Sequence, residues 1–214
     1  MVAGWDGGTV RKKSNQTAFA LPKVCRKGIS TAQTANGAST TDPLPPYGDR
    51  MDERVRPPES GDERTILSGM LDFLRQTVVH KVSGLTDEQA FARPIGTTEL
   101  GPASLVKHLT GTERFWFAID FAAEDIEWPW PDEDPHGGFA LDPTDTLADL
   151  VAVYQTECVR SRAITAAHPL DAPARGAGMT FNLRYALTHM IEETARHLGH
   201  LDLIREATDG QRGQ

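Results

Sequence analysis

Cysteine is scarce in this chain of 214 residues, which contains only Cys25 and Cys158. Two cysteines cannot form the disulfide framework of a small secreted domain, and no CxxC pair is present, so we expect a protein of the reducing cytoplasm. No apolar run approaches the roughly 18 residues that a membrane-spanning helix needs. The N-terminus also lacks the apolar stretch of a secretory signal. These absences predict a soluble protein with no membrane partner.

Basic residues are fewer than acidic ones over most of the chain. Residues 1–60 carry nine Lys and Arg against six Asp and Glu, whereas residues 61–214 carry 13 against 24, a formal charge of -11. An acidic domain repels the phosphate backbone and anionic lipid alike. We therefore predict that the protein does not bind nucleic acid.

Residues 1–60 lack any hydrophobic period and are rich in Gly, Ser, Thr, Pro and Lys. Such a segment buries too little apolar surface to offset the entropy lost on ordering. We predict a disordered N-terminal extension at 1–60 and one folded domain at 61–214. Met51 is a more natural start for this domain than Met1.

Apolar residues recur at spacings of three and four from residue 62 onward, which indicates amphipathic helices. The first predicted helix is 63–82, ended by Gly84, and a Thr86/Gln89 capping box then starts a short helical turn. The second predicted helix runs from Pro102 to about Ala123. A third follows Pro143 and Thr144, and a fourth runs from a Thr180 cap to about Ala207. No alternating run rich in Val, Ile and Thr lies between them. The sequence therefore predicts an all-α four-helix bundle.

The last predicted helix contains the most unusual pattern in the chain. His189, Glu193, His197 and His200 are separated by 4, 4 and 3 residues, which places them on one stripe of the helix. Imidazoles and a carboxylate suit a divalent cation such as zinc, nickel or ferrous iron. A solvated polar stripe is the alternative. His108, on the predicted second helix, could supply a further ligand, although alone it is more typical of a hydrogen-bonded core histidine.

Two segments resemble a known family. SLVKHLTGTERFWF around His108 and LTHMIEETARHLGHLDLIRE around Glu193 and His197 are similar to the DinB superfamily of DinB/YfiT-like bundles. The similarity is closest to its mini-circle protein branch, whose function is uncharacterised, and it covers about residues 62–212. The stretch GLTDEQ and the proline-rich acidic loop WPDEDPHGGF fit that branch too.

The resemblance implies an up-down-down-up bundle that holds one metal, which we expect to be zinc, between helices. Most members use three histidines, and here the matching positions are His108, Glu193 and His197. The glutamate departs from the commonest pattern but is similar to the mycothiol-dependent isomerase subgroup, which pairs Glu and His four residues apart. His189 is then a fallback ligand, while His200 and Arg196 are candidates to support the ligands or contact substrate.

The function implied by the resemblance is activation of a small thiol such as mycothiol, for S-transfer to a small electrophile or for isomerisation. Two alternatives remain open: a metal-dependent hydrolase, and a non-catalytic binding or stress protein that the metal stabilises. A homodimer is also left open. The candidates for binding a carboxylate on thiol or acceptor are Arg114, Arg160 and Arg196, and those for a pocket wall are Trp116, Trp128 and Trp130.

Overall fold

The computed structural model describes residues 54–128 and 138–212, and the regular secondary structure in these parts is helical, with one isolated β-bridge between Pro173 and Asn182. The helices are α1 (Glu63–Val82), α2 (Asp87–Phe91), α3 (Pro102–Glu113), α4 (Leu147–Ala167) and α5 (Leu183–Asp209), with a π-helical segment, Arg114–Phe121, that continues α3. The predicted all-α class is confirmed. Most of the predicted N-terminal extension, together with Trp130 and His136, lies outside the described residues.

Local capping explains where the helices begin. The Asp62 carboxylate accepts from the Thr65 backbone N–H at 2.8 Å, and α1 has the predicted bounds. The predicted capping box of Thr86 and Gln89 is also present at the start of α2. Each of these side chains satisfies a backbone N–H that has no partner within the helix.

The predicted cap of α5 was wrong. Asn182, not Thr180, caps this helix by accepting from the Tyr185 backbone N–H at 3.0 Å. The chain before Asn182 is held extended, because the Ala174 N–H donates to the Phe181 carbonyl at 2.9 Å next to the isolated bridge. Residues 180 and 181 are therefore unable to enter the helix.

Contacts at the helix ends show that α1 and α5 run in the same direction. The starts of the two helices are joined by Glu63 and Arg184, whose carboxylate and guanidinium are 2.6 Å apart. Near their ends, Arg205 of α5 donates to the backbone carbonyls of Lys81 and Ser83. The pair is therefore parallel.

The other two long helices run opposite to these. Ala103, at the start of α3, shares an apolar cluster with Val82 at the end of α1. Phe117 of the π-helical segment clusters instead with Leu71, earlier in α1. The helix α3 is parallel to α4, because Lys107 pairs with Asp145 just before α4 and Arg114 pairs with Glu157 further along. The predicted up-down-down-up order is confirmed.

Packing places α5 between α1 and α3, and α3 between α5 and α4. The bundle thus has one face at which α3 meets α5, and an opposite face at which α1 meets α4. Within the described ranges, no helix has both the length and the apolarity that crossing a bilayer requires.

Candidate metal centre

Three candidate ligands meet where α3 packs against α5. His108 lies midway along α3 among apolar residues, and His197 projects from α5, with exposures of 6% and 7%. Glu193, one turn before His197, keeps 12% of its side chain exposed. One carboxylate oxygen, Oε1, lies 3.2 Å from His108 Nε2 and 3.0 Å from His197 Nε2.

These distances fit a shared divalent cation. Ligand atoms about 2.1 Å from an ion are separated from one another by roughly 3.0 Å in octahedral and 3.4 Å in tetrahedral geometry. One potential ligand atom from each of His108, Glu193 and His197 lies within 4.8 Å of the others. The chemistry of the set also fits, since two neutral imidazoles and a carboxylate around a dication leave a formal charge of +1. The cluster could therefore hold a metal ion.

Neighbouring rings fix the orientation of the two imidazoles. Phe139 stacks on His108 with ring centroids 4.2 Å apart and planes 10° from parallel. The Nδ1 atom of His197 lies 3.4 Å from Nδ1 of His200, so if Nε2 faces a cation, its Nδ1–H can donate to His200. His200, a candidate to support a ligand or contact substrate, thus lies beside His197.

Phe139 was missed from the sequence. It follows Gly138, whose left-handed backbone (φ 60°) turns the chain immediately before it. A glycine is well suited to this conformation because it has no Cβ to clash. The Gly-Gly-Phe stretch after a proline-rich loop was the available signal. It does not indicate which residue Phe139 contacts, because His108 is distant in the sequence.

The electrostatics of Glu193 favour its ionised form. Hydrogen bonds from His108 and then from His197 hold the pKa of this carboxyl well below its usual range, against the opposing effect of burial. Its second oxygen, Oε2, accepts from Arg196 at 2.6 Å. Because Arg196 occupies Oε2, Oε1 is the oxygen that faces both imidazoles. An anionic carboxylate is the form that coordinates cations.

His189 lies outside this group of three. Its ring packs 4.2 Å from the Trp116 ring and stacks on Tyr185 at 6.1 Å, one turn before Glu193. Partial burial lowers its pKa. Among the described residues, the structure thus brings together His108, Glu193 and His197 and places His189 in an aromatic cluster beside them.

A known family matches most of the folded part of the chain. The family model described as mycothiol S-transferase matches residues 66–210. The chain belongs to this family. It is a DinB-like family, so the match confirms the superfamily resemblance of the segments around His108 and Glu193. No curated protein matches the chain.

The other candidates for substrate contact in this member of the mycothiol S-transferase family differ in how near they lie to the candidate centre. Arg114 and Arg160 both reach Glu157 of α4, at 2.6 and 3.7 Å, so neither contacts the candidate centre. Arg196 is the arginine that touches it. Trp116 borders His189, whereas Trp128 is 45% exposed and packs against Phe115.

Proposed function

We propose that this chain is a metal-dependent S-transferase that activates a low-molecular-weight thiol of the mycothiol type. The observation that carries the proposal is the cluster of His108, Glu193 and His197. Glu193 Oε1 lies 3.2 Å from Nε2 of His108 and 3.0 Å from Nε2 of His197. The family match supports the thiol as substrate.

His108, Glu193 and His197 are proposed as the ligands of one divalent cation, with zinc the first expectation. Three protein ligands leave at least one position for a substrate, as in catalytic rather than structural sites. A cation there would favour the thiolate over the thiol form of a bound sulfur. Arg196 holds Glu193 in place through Oε2, while Phe139 and His200 hold the two imidazoles in their rotamers.

In the proposed transfer the thiol loses its proton to solvent and its sulfur forms a new bond to carbon of the electrophile. The electron pair of the bond that breaks leaves with the departing group or stays on the opened electrophile. A small neutral electrophile is favoured because the folded part is strongly acidic and repels polyanions. The aromatic rings of Trp116 and Tyr185, next to His189, offer an apolar wall for it.

Calorimetry of mycothiol binding in two buffers of different ionisation enthalpy tests the proposal. We expect about one proton to be released per thiol bound at pH 7, because binding converts a thiol of pKa about 8.5 into a thiolate. His197→Ala should abolish both binding and proton release. His80→Ala, which removes an exposed imidazole from α1, is the matched control and should change neither.

Cobalt substitution gives a second readout, since a cobalt–sulfur charge-transfer band should grow as mycothiol is added. Release of no proton, or equal binding by His197→Ala, would contradict thiol activation. A protein that binds metal but hydrolyses esters without any thiol would instead support the hydrolase alternative.

A further inference from the structure

Four rings form an aromatic platform at the surface of the bundle, beside the candidate metal centre. They belong to Trp116 of the π-helical segment, to Tyr185 and His189 of α5, and to Phe181 just before α5. The Trp116 ring centroid lies 4.2 Å from that of His189 and 5.2 Å from that of Phe181. Tyr185 lies 5.8 Å from Phe181 and 6.0 Å from Trp116. Rings at such separations attract one another, so the four hold each other in place.

The platform is open to solvent at Tyr185. This side chain is 53% exposed, while Trp116, Phe181 and His189 are partly buried beneath and beside it. A single exposed apolar residue is ordinary, but a contiguous group of rings at the surface is typical of a site that binds apolar ligands. Tyr185 therefore supplies most of the ring surface that a ligand can reach.

The platform continues the stripe of α5 that carries candidate ligands. Tyr185, His189, Glu193 and His197 follow one another at intervals of four residues, which places them on one face of the helix. At a rise of about 1.5 Å per residue, the Cα atom of His189 lies about 6 Å before that of Glu193, and the Cα atom of Tyr185 about 12 Å before it. A small molecule on the platform can therefore extend to the candidate centre.

The chemistry of the platform favours a flat, uncharged ligand. Three of its rings carry no charge, and partial burial lowers the pKa of His189, so that this imidazole is mostly neutral near pH 7. Offset stacking between aromatic rings adds to the gain from burying their area. A planar ring should thus bind here more tightly than a saturated ring of the same size.

We propose that the platform binds the aromatic ring of the electrophile, with Tyr185 as the residue that determines this specificity. The inference rests on the proposed thiol activation and names the substrate class of the same site: small neutral electrophiles in which a short linker joins a planar ring to the reactive carbon. Glycidyl phenyl ether is one example. The thiolate sulfur bonds to the terminal epoxide carbon, the C–O bond breaks, and its electron pair stays on the oxygen, which takes a proton from water.

Two unreactive diols test the platform without any thiol: 3-phenoxy-1,2-propanediol and 3-cyclohexyloxy-1,2-propanediol. They share the polar end and differ in having a planar or a saturated ring. NMR titration of the full chain, followed at the indole N–H of Trp116 and assigned by its loss in Trp116→Phe, measures both affinities. The phenyl compound should bind about three- to tenfold more tightly. Burial of apolar area alone predicts the opposite order, because the saturated ring is the more hydrophobic.

Variants of Tyr185 separate stacking from simple apolar contact. Tyr185→Leu keeps an apolar side chain but removes the ring, so most of the phenyl preference should be lost, whereas Tyr185→Phe should retain it. Leu203→Ala is the matched control, because it removes another exposed apolar side chain from α5, about five turns further along. It should change the preference by less than about twofold, since distant sites act independently. Melting temperatures show that each variant is folded.

Kinetics with metal-loaded protein, mycothiol and the two corresponding glycidyl ethers connect the platform to the reaction. Tyr185→Leu should raise KM for the phenyl ether about three- to tenfold and leave kcat little changed. Equal binding of the two diols, a phenyl preference that survives in Tyr185→Leu, or displacement of the phenyl diol by mycothiol would overturn the proposal. Preferential binding of the phenyl diol without conjugation of either ether would support the platform and contradict the proposed thiol chemistry instead.

Discussion

Glu193 and Glu113 are carboxylates of the same bundle whose charges are balanced in different ways. Glu113 is fully buried, and both of its oxygens accept from the equally buried Arg75 at 2.6 and 2.7 Å. Glu193 faces two imidazoles through Oε1, and its arginine partner, Arg196, has 51% of its side chain exposed. The charge of Glu113 is thus balanced by a buried guanidinium. The charge of Glu193 is balanced in part by two imidazoles, which can also bind a metal ion.

The comparison separates a structural ion pair from a candidate ligand site. A buried ion pair with matched hydrogen bonds needs no further ligand, because its charges already compensate each other. The Nε2 atoms of two imidazoles lie within 3.2 Å of Glu193 Oε1. With a divalent cation bound, these nitrogens would turn lone pairs to it in place of N–H groups, and this set of ligand atoms suits such a cation. Burial alone therefore does not identify the functional carboxylate; the chemistry of its partners does.

The largest effect is expected at the candidate ligands. His108→Ala and His197→Ala should each abolish stoichiometric metal binding, because either change leaves only two protein ligands. Glu193→Ala should do the same, while His189→Ala should reduce metal content much less. Elemental analysis of protein purified without a histidine tag measures the metal-to-protein ratio directly. If His189→Ala loses the metal and Glu193→Ala keeps it, the assignment of ligands is wrong.

Glu113→Gln tests the other side of the comparison. The change leaves the Arg75 guanidinium buried without its counter-charge, so the free energy of unfolding should fall by about 3–5 kcal/mol. Urea denaturation, with metal content measured in parallel, checks this. Glu99→Gln breaks an exposed pair with Arg93 and should cost less than about 1 kcal/mol. A loss at Glu113 as small as that at Glu99 would show that the buried pair is not a structural cation–anion pair.

Asp120 provides a third case, a buried carboxylate for which the described part of the chain supplies no compensating cation. Burial raises its pKa to about 6, from the ordinary value of 3.8. The folded state therefore binds a proton more tightly than the unfolded state between about pH 4 and 6. Stability from this group is complete at low pH and declines as pH rises through that window.

The Asp120→Asn variant should accordingly be more stable than the parent at pH 7.5, by about 1–2 kcal/mol after allowance for partial solvation. The difference should shrink as the pH falls from about 6 to 4 and vanish below about pH 3, where the parent carboxyl is protonated in both the folded and the unfolded state. Paired urea titrations across pH 4–8 measure it, with Glu99→Gln as the exposed control. A difference that is constant with pH would show that burial does not raise the pKa of this carboxyl.

Features that depend on neighbouring residues were predicted well from the sequence. The bounds of α1 and the Thr86 capping box follow from hydrophobic spacing and from side chains that bond within three residues. The spacing along the last helix singled out Glu193 and His197 together with His189 and His200, and His108 was the candidate from another helix. The family resemblance then selected His108, Glu193 and His197 as the ligand set. The structure brings all three together.

Features that depend on distant residues were missed. The Arg75–Glu113 pair joins positions 38 residues apart, and nothing in the local sequence of either marks it as buried. The π-helical geometry of residues 114–121 was also missed, because it preserves an amphipathic pattern that the sequence shows as ordinary helix. Asn182 replaced Thr180 as a cap because of backbone bonds to residues 172–174, a contact that no local pattern encodes.

The smallest effect is expected from removing residues 1–50, whose composition predicts no contribution to either carboxylate cluster. A chain that begins at Met51 keeps the first described contacts: Arg54 donates to the Thr77 hydroxyl at 2.9 Å, and the Val55 N–H donates to the Gln76 side chain at 3.0 Å. Its melting temperature should lie within about 2 °C of the full chain, because a change of 1 kcal/mol shifts a domain of this size by roughly 2–4 °C. A chain that begins at Asp62 keeps the α1 cap but loses both contacts, and should melt about 2–4 °C lower. Calorimetric scans of the three proteins separate these cases. If the melting temperature of the Met51 chain falls as far as that of the Asp62 chain, residues before Met51 stabilise the bundle, and the prediction that residues 1–50 contribute nothing is wrong.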